Sequence, residues 1–297
     1  MARRKNKKLP TLLAVILIAA YVIYSNFIGV DTPRETSLVE GTIELHVIDV
    51  AQADCLLFKT EAGNILFDSG DVETKDEVKD YLKSEGISEI EYAVFTHPDA
   101  DHIGGAETVL LNFDVKNVIM PVLDDGDIPT TKVYEKMIAA IEADEDINVI
   151  AAESGATYSV GDVQMKILAP NSDNYASRND YSVAVRVDFG ETSFLMTGDI
   201  EDVSEEEILA KYPASELKCT LYKAAHHGAA ESNCKELLDK VEPEIIVISC
   251  GEGNKYGHPH KEAMERFSDT GATIYRTDID GTIVLVSDGK TISRVEK

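Results

Sequence analysis

The chain has 297 residues, 44% of them hydrophobic, with a formal net charge of −26 and a sequence pI of about 4.5. That length and apolar content suffice for a domain with a sizeable core. The acidity excludes avid binding of a polyanion through bulk charge, because like charges repel at long range.

The charge is unevenly placed. Residues 1–30 hold five basic side chains (Arg3, Arg4, Lys5, Lys7 and Lys8) and no acidic one, while the other 23 basic residues face 54 acidic ones. Behind the leading cations comes "TLLAVILIAAYVIYSNFIGV". As a helix this run is roughly 30 Å long, enough to span a bilayer. Cations ahead of a span keep the N-terminus in the cytoplasm and send the rest outward. Ala19-Ala20-Tyr21 lies inside the run and Ser25-Asn26-Phe27 is a poor cleavage site. Residues 1–30 therefore read as an uncleaved signal anchor of a single-pass cell-membrane protein, secreted only if the segment is removed. Residues 31–41, "DTPRETSLVEG", read as an exposed linker.

From residue 42 onward strand-like and helix-like segments alternate to the end, which predicts one αβ domain over 42–297 with helix-covered sheets. β-Branched and aromatic runs predict strands at 42–50, 54–59 and 64–68, the last ending at Asp68. A helix is expected at 75–84, and a strand at 91–96 that leads straight into His97-Pro98-Asp99-Ala100-Asp101-His102. Gly104 and Gly105 then let the backbone turn into a helix over 104–111. Further strands are expected at 117–121, 163–169, 181–189 and 193–198, with a helix at 130–143. The strand at 193–198 leads to Asp199. A helix at 203–211 and a strand at 218–224 precede His226 and His227. A helix at 232–240 and a strand at 244–249 precede His258 and His260. A helix at 261–268 and strands at 273–276 and 282–287 close the chain. The four cysteines, Cys55, Cys219, Cys234 and Cys250, form no Cys-x-x-Cys pair and read as structural.

Six of the seven histidines thus fall just after strands, beside aspartates. A buried carboxylate or imidazole needs a partner, so such clustering implies mutual satisfaction or a metal. A lone strand-end Asp is usually a turn former, and a polar helix start with Asp caps explains one loop. Several such loops together offer a ligand set for two divalent ions about 4 Å apart.

The order of motifs resembles the metallo-β-lactamase superfamily, and more closely the ComEC-like subfamily, the lactamase-like domain of bacterial DNA-uptake channel proteins. The motifs read "DVAQAD", "DSG", "HPDADHIGG", "NDYSVAVRVDFG", "LMTGD", "HHGA" and "YGHP". The resemblance implies a four-layer αββα sandwich with metals at one edge. It implies one ion on His97, Asp99 and Asp199, and another on Asp101, His102, Asp199 and either His226 or His227. Asp101 and His258 are the catalytic candidates. Asp101 would orient the attacking water, and His258 would bind a phosphate oxygen or protonate the leaving group. Asp68 would support a ligand histidine. Asn179, Asp180 and Ser182 stand where the family has a mid-chain metal-binding histidine, and Lys223 is a lesser candidate for phosphate.

Departures from the pattern matter. Ala51 and Ala53 replace two glycines beside Gln52, Ala229 stands for a common Ser, and Asp99 stands for a histidine. An oxygen-rich subsite favours harder ions, so manganese is expected, with zinc as the alternative. The function implied is a phosphodiesterase or nuclease acting outside the membrane, on a phosphodiester that includes single-stranded DNA. Any channel for uptake would be another chain. The alternatives are hydrolysis of a cell-wall phosphodiester such as phosphocholine, of a lactone or of a thioester, or an inactive metal-binding module that docks a membrane complex.

Overall fold

Neighbouring side chains on the central strands pack into different cores, as the two-residue period of a strand requires when both faces are covered. The computed structural model describes residues 38–295; the membrane span and most of the linker expected from the sequence lie outside the described residues. The first sheet takes β1 (Ile43–Val47), β2 (Leu56–Thr60), β3 (Gly63–Phe67), β4 (Glu89–Val94), β5 (Asp114–Met120) and β6 (Asn148–Ala151). The second takes β7 (Thr157–Val160), β8 (Val163–Ile167), β9 (Val185–Phe189), β10 (Thr192–Met196), β11 (Leu221–Lys223), β12 (Ile245–Ile248) and β13 (Thr273–Arg276). The chain then returns to the first sheet as β14 (Ile283–Ser287) and β15 (Ile292–Arg294). The orders are β15-β14-β1-β2-β3-β4-β5-β6 and β13-β12-β11-β10-β9-β8-β7.

Leu56, Phe58, Ile65, Phe67 and Val94 of the first sheet meet Val185, Val187, Phe194 and Met196 of the second in a shared core. Phe58 and Phe194 cross it edge-to-face, with ring centroids 5.2 Å apart. The alternate residues Leu57, Leu66 and Ala93 face outward, onto Val78 and Leu82 of α1 (Lys75–Ser84), Ile103 of α2 (Ala100–Ile103), Val109 of α3 (Ala106–Asn112) and Met137 of α4 (Lys132–Ala143). On the other side Leu195, Tyr222 and Ile246 pack on Ile208 of α5 (Asp202–Lys211), Leu217 of α6 (Ala214–Leu217), Leu237 of α7 (Lys235–Val241) and Phe267 of α8 (Lys261–Thr270). The result is the four-layer αββα sandwich expected from the motifs.

β3 through β6 are mutually parallel, as are β10 through β13. The loops that leave the carboxyl ends of β3, β4, β10, β11 and β12 meet at one edge, the place where open α/β sheets carry ligand sites.

Several elements depart from expectation. β6, β7 and β15 were not foreseen; they are three or four residues long, largely unburied edge strands without a full apolar alternation. The strand expected over 181–189 begins only at Val185, after a tight 3-10 turn at Arg178–Tyr181. The helix expected over 104–111 begins only at Ala106, and a separate short helix, Ala100–Ile103, precedes it, with Gly104 and Gly105 between them. These glycines do more than turn the chain. A Cβ at Gly104 would lie 2.2 Å from the Val72 nitrogen, and one at Gly105 2.3 Å from the Ser69 oxygen. Only glycine lets the loop after β4 lie directly against the loop after β3.

Candidate metal centre

Each loop delivers one or two polar side chains to this edge. Asp68 follows β3 with a left-handed φ of 56° and is 1% exposed. It accepts hydrogen bonds from the Thr96 amide (2.8 Å), the Thr96 hydroxyl (2.7 Å) and His102 Nδ1 (2.7 Å). With Nδ1 occupied, His102 presents Nε2, which is buried without a hydrogen-bond partner and lies 3.2 Å from Asp199 Oδ2. His227 is held in the same way. Its Nδ1 donates to the Ser249 carbonyl at 3.0 Å, and Asp54 Oδ1 lies 3.5 Å away. Its Nε2 is likewise unpartnered, 3.4 Å from Asp101 Oδ2 and 3.5 Å from Asp199 Oδ2.

Asp101, His102, Asp199 and His227 therefore form one group whose candidate ligand atoms lie within 4.8 Å of one another. Two imidazoles, each fixed through Nδ1 and bare at Nε2, facing two carboxylates, fit a divalent cation. Burial opposes charge on His102, but Asp199 and Asp68 outweigh it and raise its pKa well above the ordinary value. Burial likewise opposes charge on Asp199, and His102 and His227 outweigh it to hold its carboxyl well below the usual range. A divalent cation held by this group would compete with a proton for the His102 Nε2 lone pair.

The remaining expected residues are placed differently. His97 is 1% exposed, with Nδ1 near the Thr96 and Ser182 hydroxyls (3.2 and 3.3 Å) and its ring against His102. Burial, then His102, lowers its pKa to about 4. Asp99 is turned to Arg178, 3.4 Å away. The expected subsite of His97, Asp99 and Asp199 is thus not drawn together around one point, because the Asp99 carboxylate faces the cation at the rim. His226 sits beside the group, 3.8 Å from Asp199, and shares a second cluster with Glu201 and Glu231. Both His226 and His227 adopt left-handed φ (50° and 53°), which sends the two rings to different clusters.

Ser182 accepts from the Asp199 amide (3.0 Å). Asp180 accepts from the Glu201 and Ser204 amides (both 3.1 Å) and so holds the start of α5. Asn179 donates to Glu201 (2.8 Å). Lys223 is not available to a phosphate. It is 1% exposed and its Nζ lies 2.8 Å from Asp54 Oδ2. Burial would raise Asp54's pKa, but Lys223, then His227 and His102, outweigh it and lower it. Asp54 and Gln52 went unassigned in the sequence; their signal was the polar pair inside "DVAQAD", whose partners lie more than 165 residues away. His258 is 8% exposed, and burial, then His227 and His226, lowers its pKa to about 4. A cleft of about 590 Å³ opens beside Asp101, lined by Gln52, Asp99, Arg178, Lys255 and Tyr256.

The profile of the Metallo-beta-lactamase superfamily matches residues 48–252. ComE operon protein 3 of Bacillus subtilis is 28% identical over 258 residues, 81% of this chain and 32% of that protein. Competence protein ComA of Neisseria gonorrhoeae is 27% identical over 91% of this chain and 35% of its own length. The chain thus spans about a third of the length of these relatives. Among solved structures, the metallo-beta-lactamase fold protein YhfI from Bacillus subtilis superposes with a TM-score of 0.54 at 13% identity, over 83% of this chain and 99% of that one. The diiron β-hydroxylase CmlA from Streptomyces venezuelae gives 0.55 at 14%, over 91% and 59%. At such identities these two structures speak for the fold alone.

Two substitutions test the geometry. Asp68→Asn should weaken divalent-metal affinity by about 10- to 100-fold, read by competition with a chromophoric chelator; unchanged affinity would refute the role given to Asp68. Lys223→Met strands a buried carboxylate and should cost about 3–5 kcal/mol in urea unfolding. A raised KM with unaltered stability would return Lys223 to substrate binding.

Proposed function

The chain belongs to the metallo-beta-lactamase superfamily, and on that premise we propose that it hydrolyses a phosphodiester at this edge. It is a metal-dependent hydrolase of that superfamily, related to competence proteins. The observation that carries the reading is the Asp101–His102–Asp199–His227 group, opening on a cleft whose cations are Arg178 and Lys255. A bound divalent ion supplies a Lewis acid and acidifies a water molecule. Asp101, whose carboxyl is held below the usual range by His227 and His102 against burial, remains an acceptor that aligns the attacking water. Arg178 and Lys255 are the cationic side chains that would meet a phosphodiester at the cleft. Burial opposes charge on His226, but Glu201 and Asp199 outweigh it and raise its pKa, so a proton on this ring beside Asp199 is favoured relative to a free imidazole.

We assign two divalent ions, manganese or zinc, with the group above as the first position. Substrate candidates are a phosphodiester in single-stranded DNA and a cell-wall phosphodiester. The N-terminal segment anchors the chain in the cell membrane with the domain outside, and a separate channel protein serves any uptake.

Full-length protein loaded with manganese or zinc should hydrolyse a chromogenic phosphodiester and single-stranded DNA in preference to a lactam, a lactone or a thioester. Asp101→Asn should lose at least about 100-fold and a chelator should abolish turnover. Equal rates for wild type and variant would leave only the inactive docking module. Protease added to intact cells should digest the domain; protection would place it on the cytoplasmic side.

A further inference from the structure

Gln52 is not a ligand to the metal group, yet its side chain bridges two loops that meet at the cleft. Its Oε1 accepts from the Gly251 amide at 3.1 Å. A backbone N–H has only a proton to give, so this bond fixes which end of the amide is oxygen. The other end, Nε2, therefore donates, and its partner at 3.2 Å is His258 Nδ1. An imidazole nitrogen that accepts carries no proton, and the neutral ring must carry it on Nε2.

The surroundings hold this arrangement closely. Asn254 accepts from the His258 amide (3.0 Å) and donates to its carbonyl (2.6 Å). The same Asn254 side chain donates to the Gly251 carbonyl at 2.9 Å. A Cβ at Gly251 would stand 2.8 Å from the Gln52 nitrogen, so glycine there permits the approach. The His258 ring lies against His226, with centroids 5.4 Å apart, while its Nε2 makes no hydrogen bond among the described residues.

We infer that Gln52 is a positioning residue that locks His258 as an Nε2–H donor, so that His258 binds a phosphoryl oxygen of the substrate and is neither a metal ligand nor the proton source for the leaving group. Metal ligation through Nε2 needs a lone pair where this tautomer has a proton. Proton donation from a neutral ring would leave an imidazolate, whereas a hydrogen bond to developing phosphoryl charge requires no transfer. This rests on the phosphodiesterase reading for its substrate; the tautomer itself does not.

The test separates the two. In full-length protein labelled with 15N-histidine, long-range 1H–15N spectra, assigned with His258→Ala, should show His258 protonated at Nε2, with and without added zinc. Gln52→Glu keeps the shape and the bond from Gly251 but offers His258 only an acceptor, and should move the proton to Nδ1. On a chromogenic phosphodiester, His258→Ala and Gln52→Glu should each lose about 10- to 100-fold in kcat/KM, with bound metal unchanged. A wild-type ring protonated at Nδ1, a fall in metal content of His258→Ala, or a Gln52→Glu enzyme as fast as wild type would each overturn the inference. Failure of the wild type on every phosphodiester would refute the functional reading alone and leave the spectra to decide the tautomer.

Discussion

The site depends on two imidazoles having their Nδ1 atoms occupied. His102 donates to Asp68 and His227 to the Ser249 carbonyl. Each bond decides which nitrogen faces the group and how the ring is turned. Without them the rings would rotate or exchange tautomers, and the buried Asp199 and half-buried Asp101 would be carboxylates with no fixed partner, an arrangement costly in a low-dielectric setting. The outer residues answer in kind. Thr96 gives Asp68 two further donors, and Lys223 neutralises Asp54 beside His227. A buried ion pair of this type is weak evidence for net stability. Its use here is orientation, since it sits directly behind a candidate ligand.

Such orientation requires backbone that side chains rarely adopt. Asp68, His226, His227 and Ala51, all with φ between 50° and 57°, cluster at this edge. Left-handed backbone at a non-glycine residue costs about 1–2 kcal/mol, and it persists only where the surroundings over-determine it. The sandwich does so: β3, β4, β10, β11 and β12 are buried central strands whose ends are fixed by their neighbours' registers. Ala51 is informative because the resembling subfamily has glycine there, and the structure shows the conformation that glycine serves.

Much of this was legible in the sequence, and the limits have physical causes. The alternation of two-sided apolar strands with helices gave the layers, because burial on both faces leaves a continuous signal. The strand-end carboxylates and imidazoles marked the edge, because few structural roles need so many of them together. Direction was not legible. Asp99 and Asp101 are two residues apart on one turn, yet one faces Arg178 and the other the metal group. His226 and His227 are adjacent and part in the same way. Lys223 read as a candidate for phosphate, since nothing local reveals that Asp54 waits for it across the sandwich. Gln52 stood out only as a polar residue inside "DVAQAD", its partners at 251 and 258 being brought to it by the fold.

The acidity of the chain bears on the cleft less than its total suggests. At physiological salt the Debye length is about 8 Å, so most surface carboxylates are screened from it. What counts locally is Asp71, Asp99 and Asp101 against Arg178 and Lys255. Those five leave the cleft short of positive charge, and Arg178 is already partly engaged by Asp99. A divalent ion held by the Asp101 group would offset that deficit at its end of the cleft. Metal occupancy and affinity for an anionic substrate of the kind proposed above would then be coupled through charge, whichever ion is bound. With a divalent ion held there, attraction for an anion would be confined to the cleft, within about one Debye length of the ion. On the phosphodiesterase reading proposed above, the cleft would suit a short or single-stranded segment, whose scissile phosphate enters alone, better than a rigid duplex.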